Sequence, residues 1–234
     1  MLTWILAAAA LAAGVTGAWS PCGFSMVETL APAGYAGRLR TTLVACVTFT
    51  AGALAGGVIT FGGLGLLGEW LGAGGTGAVA GAALGAGGPV AVGAAAVVAV
   101  AAAAGEARGL RIAPQIRRQV PEAWRRVLPV PLAAAGYGVL LGLGFTTFVL
   151  SFAVWALAGA SIALGDPALG LGMGLAFGAG RALPVIALAP FAGTDRGGAV
   201  TAAMCERPAI LLRLRRVDAV ALAAVALALG TVPA

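Results

Sequence analysis

Six apolar stretches, at roughly 2 to 31, 41 to 67, 76 to 104, 130 to 164, 168 to 192 and 210 to 232, are each long enough to cross a bilayer. They leave little chain for anything else. Only 9% of the 234 residues are charged, 61% are hydrophobic and 38 more are glycine, against about 25% charged in soluble domains. The expected fold is all-α: one polytopic membrane domain over 1–234 with six transmembrane helices. The chain has no histidine, and its eight carboxylates are scattered singly. That composition excludes a hydrolytic triad, a paired-acid site and a metal site of ordinary His/Cys spacing, so no hydrolase or transferase chemistry and no cofactor is expected.

All 14 positive charges are arginines, and the formal charge of +6 would suit nucleic acid if position did not decide otherwise. They cluster at Arg38 and Arg40, at Arg108 to Arg126, and at Arg196 to Arg216, with only Arg181 apart. An even number of crossings separates successive groups, so all three fall on one face, while the turns at Glu69 and Asp166 fall on the other. The positive-inside rule then places both termini outside in a multi-pass protein of the cell membrane. Membrane lipid is the expected partner and nucleic acid is not. The first stretch has an alanine-rich core like a secretory signal, but nothing basic precedes Arg38, so it is expected to stay as the first span. Trp4 and Trp70 near outer ends, and Tyr35, Trp124 and Tyr137 near inner ends, are read as interfacial belts. In the last span, Arg213, Arg215 and Arg216 would have to snorkel.

Small residues recur four apart at Gly52 and Gly56, Gly81 and Gly85, Gly138 and Gly142, and along Gly170, Gly174 and Gly178. Such stripes let helix backbones approach closely in lipid. Packing within the bundle is the expected use.

The polar segment 105–129, with three prolines, divides the spans three and three, giving repeat one at 1–104 and repeat two at 130–234. Halves with an odd number of spans are inverted relative to one another. Gly17 to Cys22 can be laid on Leu143 to Phe148, which pairs Trp19 with Phe145 and Ser20 with Thr146. Pro21, flanked by Gly17 and Gly23, predicts a break in the first span. With Ser20 as cap and Pro21 in the first helical position, Cys22 would stand in the first turn of a new helix, where free amides favour a thiolate. A proline kink beside a small buried cysteine is the alternative.

Trp19-Ser20-Pro21-Cys22, a second half that includes Gly144-Phe145-Thr146-Thr147-Phe148, and a fifth span containing Gly178, Gly180, Leu183 and Pro184 together resemble the membrane thiol-disulfide carriers of cytochrome c biogenesis, the CcdA and DsbD transmembrane family. The resemblance implies redox transfer across the membrane with Cys22 as the catalytic cysteine and a thioredoxin-like partner. It also implies a second cysteine in the fourth span, where Thr147 stands in the proline position and Phe148 in the cysteine position. Cys46 and Cys205 occupy neither family position.

Glu28 and Arg181 are charges inside the lipid zone, each costing at least ~2.5 to 3.5 kcal/mol alone. Mutual pairing is the simplest expectation. Three readings stay open: a redox carrier acting through Cys22; a small permease with Ser20, Cys22, Thr146, Thr147, Glu28 and Arg181 along a polar path; and a non-catalytic accessory subunit.

Overall fold

A computed structural model describes residues 1–19, 21–30, 39–73, 85–110, 124–146, 151–191, 194–206 and 208–231, and every regular element among them is helical. In chain order these are α1 (Leu2–Ala18), α2 (Pro21–Leu30), α3 (Leu39–Gly57), a π turn (Val58–Gly62), α4 (Gly63–Ala73), α5 (Pro89–Ala107), α6 (Trp124–Val127), α7 (Val130–Gly142), α8 (Phe152–Leu164), α9 (Pro167–Leu188), a 3-10 turn (Ala189–Phe191), α10 (Asp195–Glu206) and α11 (Pro208–Gly230).

Three helical runs are long and apolar enough to cross a membrane: Arg40–Gly72, which joins α3, the π turn and α4; Pro89–Ala107; and Pro167–Phe191. This is compatible with a membrane protein. So is the lateral surface, where Leu43, Val47, Ile59, Leu66, Val97, Val100 and Leu227 are exposed, a display that a soluble monomer avoids. The remaining apolar stretches depart from simple spans. The first divides into α1 and α2, and the fourth into α7 and α8, each of the latter only 13 residues long. In the last, α11 carries Arg213, Arg215, Arg216 and Asp218 within its first half, so uncharged residues make up only its second.

Glycine decides how the helices approach. Gly52 and Gly56 of α3 lie against the backbone of Ala135, Val139 and Leu143, while Gly138 and Gly142 of α7 lie against Phe49 and Ala53. Contacts that advance together mean that α3 and α7 run parallel. On α9 the order reverses. Gly178 meets Ala53, Gly174 meets Gly57 and Gly170 meets Phe61, so α9 is antiparallel to α3 and to the π turn that follows it. Gly14 of α1 and Gly180 of α9 form a similar backbone contact. The stripes on α3, α7 and α9 are thus used within the bundle, while Gly81 of the Gly81 and Gly85 pair lies outside the described residues.

Two apolar clusters result. One gathers Leu6, Phe61, Leu157, Met173, Phe177, Leu222 and Leu229; the other gathers Met26, Leu30, Phe49, Tyr137, Leu141 and Val185. Tyr137 therefore belongs to the core, stacked on Trp124 at 5.8 Å, and not to an interfacial belt. Trp4 and Trp70 are exposed as an interfacial role requires, and Tyr35 lies outside the described residues.

One end of the bundle is formed by tight turns. Gly165, at φ 56°, closes α8 in the left-handed conformation that a side chain disfavours. Asp166 then caps α9 by accepting from the amides of Ala168 and Leu169, with Pro167 in the first helical position. The Gly87 amide donates to the Ala163 carbonyl, and Gly165 sits against the backbone of Glu69, so the Asp166 turn and Glu69 share this end; Glu69 lies within α4 and not in the turn expected there.

Candidate functional site

The charged groups of the described interior fall in two places, and both are helix ends. The larger lies where α5, α8 and α11 meet. Glu106, in the last turn of α5, is buried, and its two carboxylate oxygens have separate uses. Oε2 accepts from Nε of Arg215 at 2.5 Å, and Oε1 accepts from the backbone amide of Phe152 at 2.5 Å. The first turn of a helix leaves amides without intrahelical partners and carries a partial positive charge, so a carboxylate there is favoured on both counts. Ser151 caps the same helix by accepting from the Ala153 amide at 3.0 Å, and its hydroxyl donates to Oδ2 of Asp218 at 3.2 Å. Nη2 of Arg215 donates to the Leu110 carbonyl just past the end of α5, where a cation complements the partial negative charge of the helix.

Asp218 stands one turn beyond Arg215 on α11, and the side chain of Thr16 on α1 meets its carboxylate. Glu106, Ser151, Arg215 and Asp218 are all buried. Each makes a bond to another helix or caps its own, so the cluster's chemistry is to join α1, α5, α8 and α11. The expectation that Arg215 snorkels is therefore corrected. It turns inward, because a paired guanidinium with an acceptor at each edge replaces the water it leaves.

The second place is Arg181. It is fully buried on α9, its Nη1 donates to the Gly17 carbonyl at 2.5 Å, and its Cζ lies 5.3 Å from the centre of the Phe177 ring. Because α1 closes at Ala18, Gly17 is among the last carbonyls that the helix cannot satisfy itself. The guanidinium caps it and adds a cation–π contact. A Cβ at 17 would fall 2.6 Å from Cζ of Arg181, so any larger residue there would have to displace the guanidinium.

The break after α7 is satisfied likewise. Thr146, exposed, donates to the Leu140 carbonyl at 2.7 Å, and Thr60 of the π turn donates to the Leu143 carbonyl at 2.9 Å. Ser161 of α8 donates to the Phe61 carbonyl at 2.8 Å, in the wide turn itself. Irregular backbone at membrane depth persists only where protein groups satisfy it.

Of the seven candidate site residues named from sequence, Arg181 and Thr146 have described side chains, and each serves a helix end. Pro21, Cys22 and Glu28 lie on α2, with side chains outside the described residues. Ser20, Thr147 and Phe148 lie outside them altogether, so the pairing of Glu28 with Arg181 falls there too. Cys46 is a half-buried free thiol packed against the second apolar cluster. Sequence reasoning missed Glu106, Ser151 and the inward turn of Arg215. The available signal was an isolated acid at the end of an alanine-rich stretch and an Arg-x-x-Asp spacing that places both charges on one helical face.

Among curated proteins, the chain is 34% identical over 188 residues to the methylamine utilization protein MauF of Paracoccus denitrificans, covering 77% of this chain and 62% of that protein. The chain resembles MauF. It is also 33% identical to MauF of Paracoccus versutus over 77% of this chain and 63% of the relative, and 31% identical to MauF of Methylorubrum extorquens over 74% and 58%. The chain thus spans about three fifths of the length of the curated relatives it matches. No family model and no solved structure matches it.

These relatives correct the functional expectations. A match across three quarters of the chain outweighs motifs of a few residues, and nothing in it points to the CcdA and DsbD carriers. Cytochrome c biogenesis, thiol-disulfide exchange at Cys22 and the redox role are overturned, and so is the permease alternative with Glu28 and Arg181 in its polar path. The motif had already failed at Phe148, where the carriers' second cysteine is expected.

Proposed function

We propose that this chain is a multi-pass membrane protein serving methylamine utilization, as an accessory component and not as a catalyst. The observation that carries the reading is the similarity to MauF over 188 residues. The accessory role draws support from the interior, where the described charged groups form helix caps and an ion pair. Deleting the gene is expected to abolish growth on methylamine as sole nitrogen source while leaving growth on ammonium unchanged, with the chain supplied in trans restoring it. Undiminished growth of the deletion strain on methylamine would sink the proposal.

The finer architecture in this proposal has six crossings in two inverted three-helix repeats, with both termini outside. Supporting it are the arginine alternation and the helix directions: α7 parallel to α3, and α9 antiparallel to it. A reporter inserted in segment 105–129 is expected to be cytoplasmic, with tags at residue 1 and after Ala234 accessible from outside. Termini labelled on opposite faces would show that the number of crossings is odd.

A further inference from the structure

A groove runs between α1 and α11 on the outer surface of the bundle. Its walls are Ile5, Ala8 and Ala12 on one side and Val217, Val220 and Ala224 on the other, around a cavity of about 520 Å³. The alanines make the trough and the valines its rim. Val217 and Val220 are strongly exposed, which suits contact with hydrocarbon and not with water. From Arg216 to Ala224 the groove extends along α11 for about 12 Å at the helical rise.

Charge is confined to one end. Arg216 lines the groove there, and Arg213 lies one turn earlier on the same helical face, both exposed. The neighbouring Arg215 points inward to Glu106, and Asp218 points inward to Ser151, so these two acids are committed to the interior. Among the described residues, no ion pair joins Arg213 or Arg216 to a carboxylate. The result is an apolar channel that opens beside two uncompensated cations at the level where the arginine-rich end of the bundle begins.

We propose that this groove holds one anionic phospholipid, an acyl chain lying between α1 and α11 and the headgroup phosphate on Arg216 and Arg213. Charge complementarity selects this occupant. A zwitterionic lipid presents a compensating cation to the same arginines, and a neutral helix from a partner uses neither. Arginine supplies forked donors that match phosphate oxygens, and juxtamembrane cations attract anionic headgroups. The inference rests on the membrane placement proposed above but not on the methylamine role.

The test is native mass spectrometry of the full chain released from nanodiscs of mixed phosphatidylcholine and phosphatidylglycerol. Recovery of the chain from the membrane fraction checks the placement separately. The wild type is expected to retain one phosphatidylglycerol in preference to phosphatidylcholine. Arg216→Gln should lower that retention about fivefold, the effect of one arginine at an anionic surface. Val220→Trp, at an exposed rim position, should expel lipid of both kinds by filling the trough, with helical circular dichroism unchanged. Equal retention of the two lipids, retention undiminished in both variants, or a second copy of the chain held in place of lipid would each overturn the proposal.

Discussion

Replacing Gly174 with valine is expected to prevent stable assembly of the bundle, whereas the same replacement at Gly172, two residues away on α9, is expected to be nearly silent. A Cβ at 174 would press on the backbone of Gly57 and Val58, while one at 172 meets nothing within 4 Å. Backbone on the opposing helix has no rotamer with which to yield, so the clash must be relieved by separating α9 from α3. Overpacking of this kind costs ~3 kcal/mol or more when nothing can give, against about 0.5 kcal/mol for a substitution into open space. Gly178→Val, facing Ala53 and Leu54, should behave like Gly174→Val. Monodispersity and thermal denaturation in detergent read the difference. Comparable melting of the 172 and 174 variants would mean that α3 and α9 do not meet at these glycines.

Arg215→Ala is expected to lower stability by ~3 to 5 kcal/mol, because it leaves the Glu106 carboxylate buried beside Asp218 with no cation. The loss falls on three helices at once, since Glu106 also caps α8 and Arg215 also holds the end of α5. Pairing Glu106→Gln with Arg215→Met should recover much of the loss. Glutamine keeps an acceptor for the Phe152 amide, and methionine fills the space of the arginine stem without a charge. A double-mutant cycle should give a coupling above about 1 kcal/mol. Losses that simply add would show that the two side chains act independently.

How far the interior was legible depended on which physical rule a residue obeyed. Arg181 stood out because a lone cation in an apolar span has a cost that demands a partner, and the structure gives it the Gly17 carbonyl and the Phe177 ring. Its acceptor was not legible, because a carbonyl is present at every residue and only the end of α1 at Ala18 sets this one free. Glu106 was hidden for the opposite reason. It sits where an apolar stretch gives way to an arginine-rich one, and an acid there reads as solvated until α8 and α11 close over it. The fourth apolar stretch read as one span because hydropathy records where apolar residues are and not where hydrogen bonds stop. Between α7 and α8 the carbonyls of Leu140 and Leu143 turn instead to Thr146 and Thr60.

What the sequence determined by itself is the apolar character of the stretches and the class of element. Long apolar stretches with few charges favour helices in lipid, and glycines four apart mark faces on which backbones can approach, because both properties are local and repeat with the helical period. Which glycine faces which, and which arginine turns inward, only the tertiary structure decided. Gly52, Gly56 and Gly57 lie within six residues of α3, yet the first two receive α7 and the third receives α9. Arg215 and Arg216 are neighbours with identical side chains, yet one is buried on Glu106 and the other opens onto the outer groove between α1 and α11. A helix turns by about 100° per residue, so adjacent positions inherit different surroundings, and those surroundings are supplied by segments more than eighty residues away in the chain.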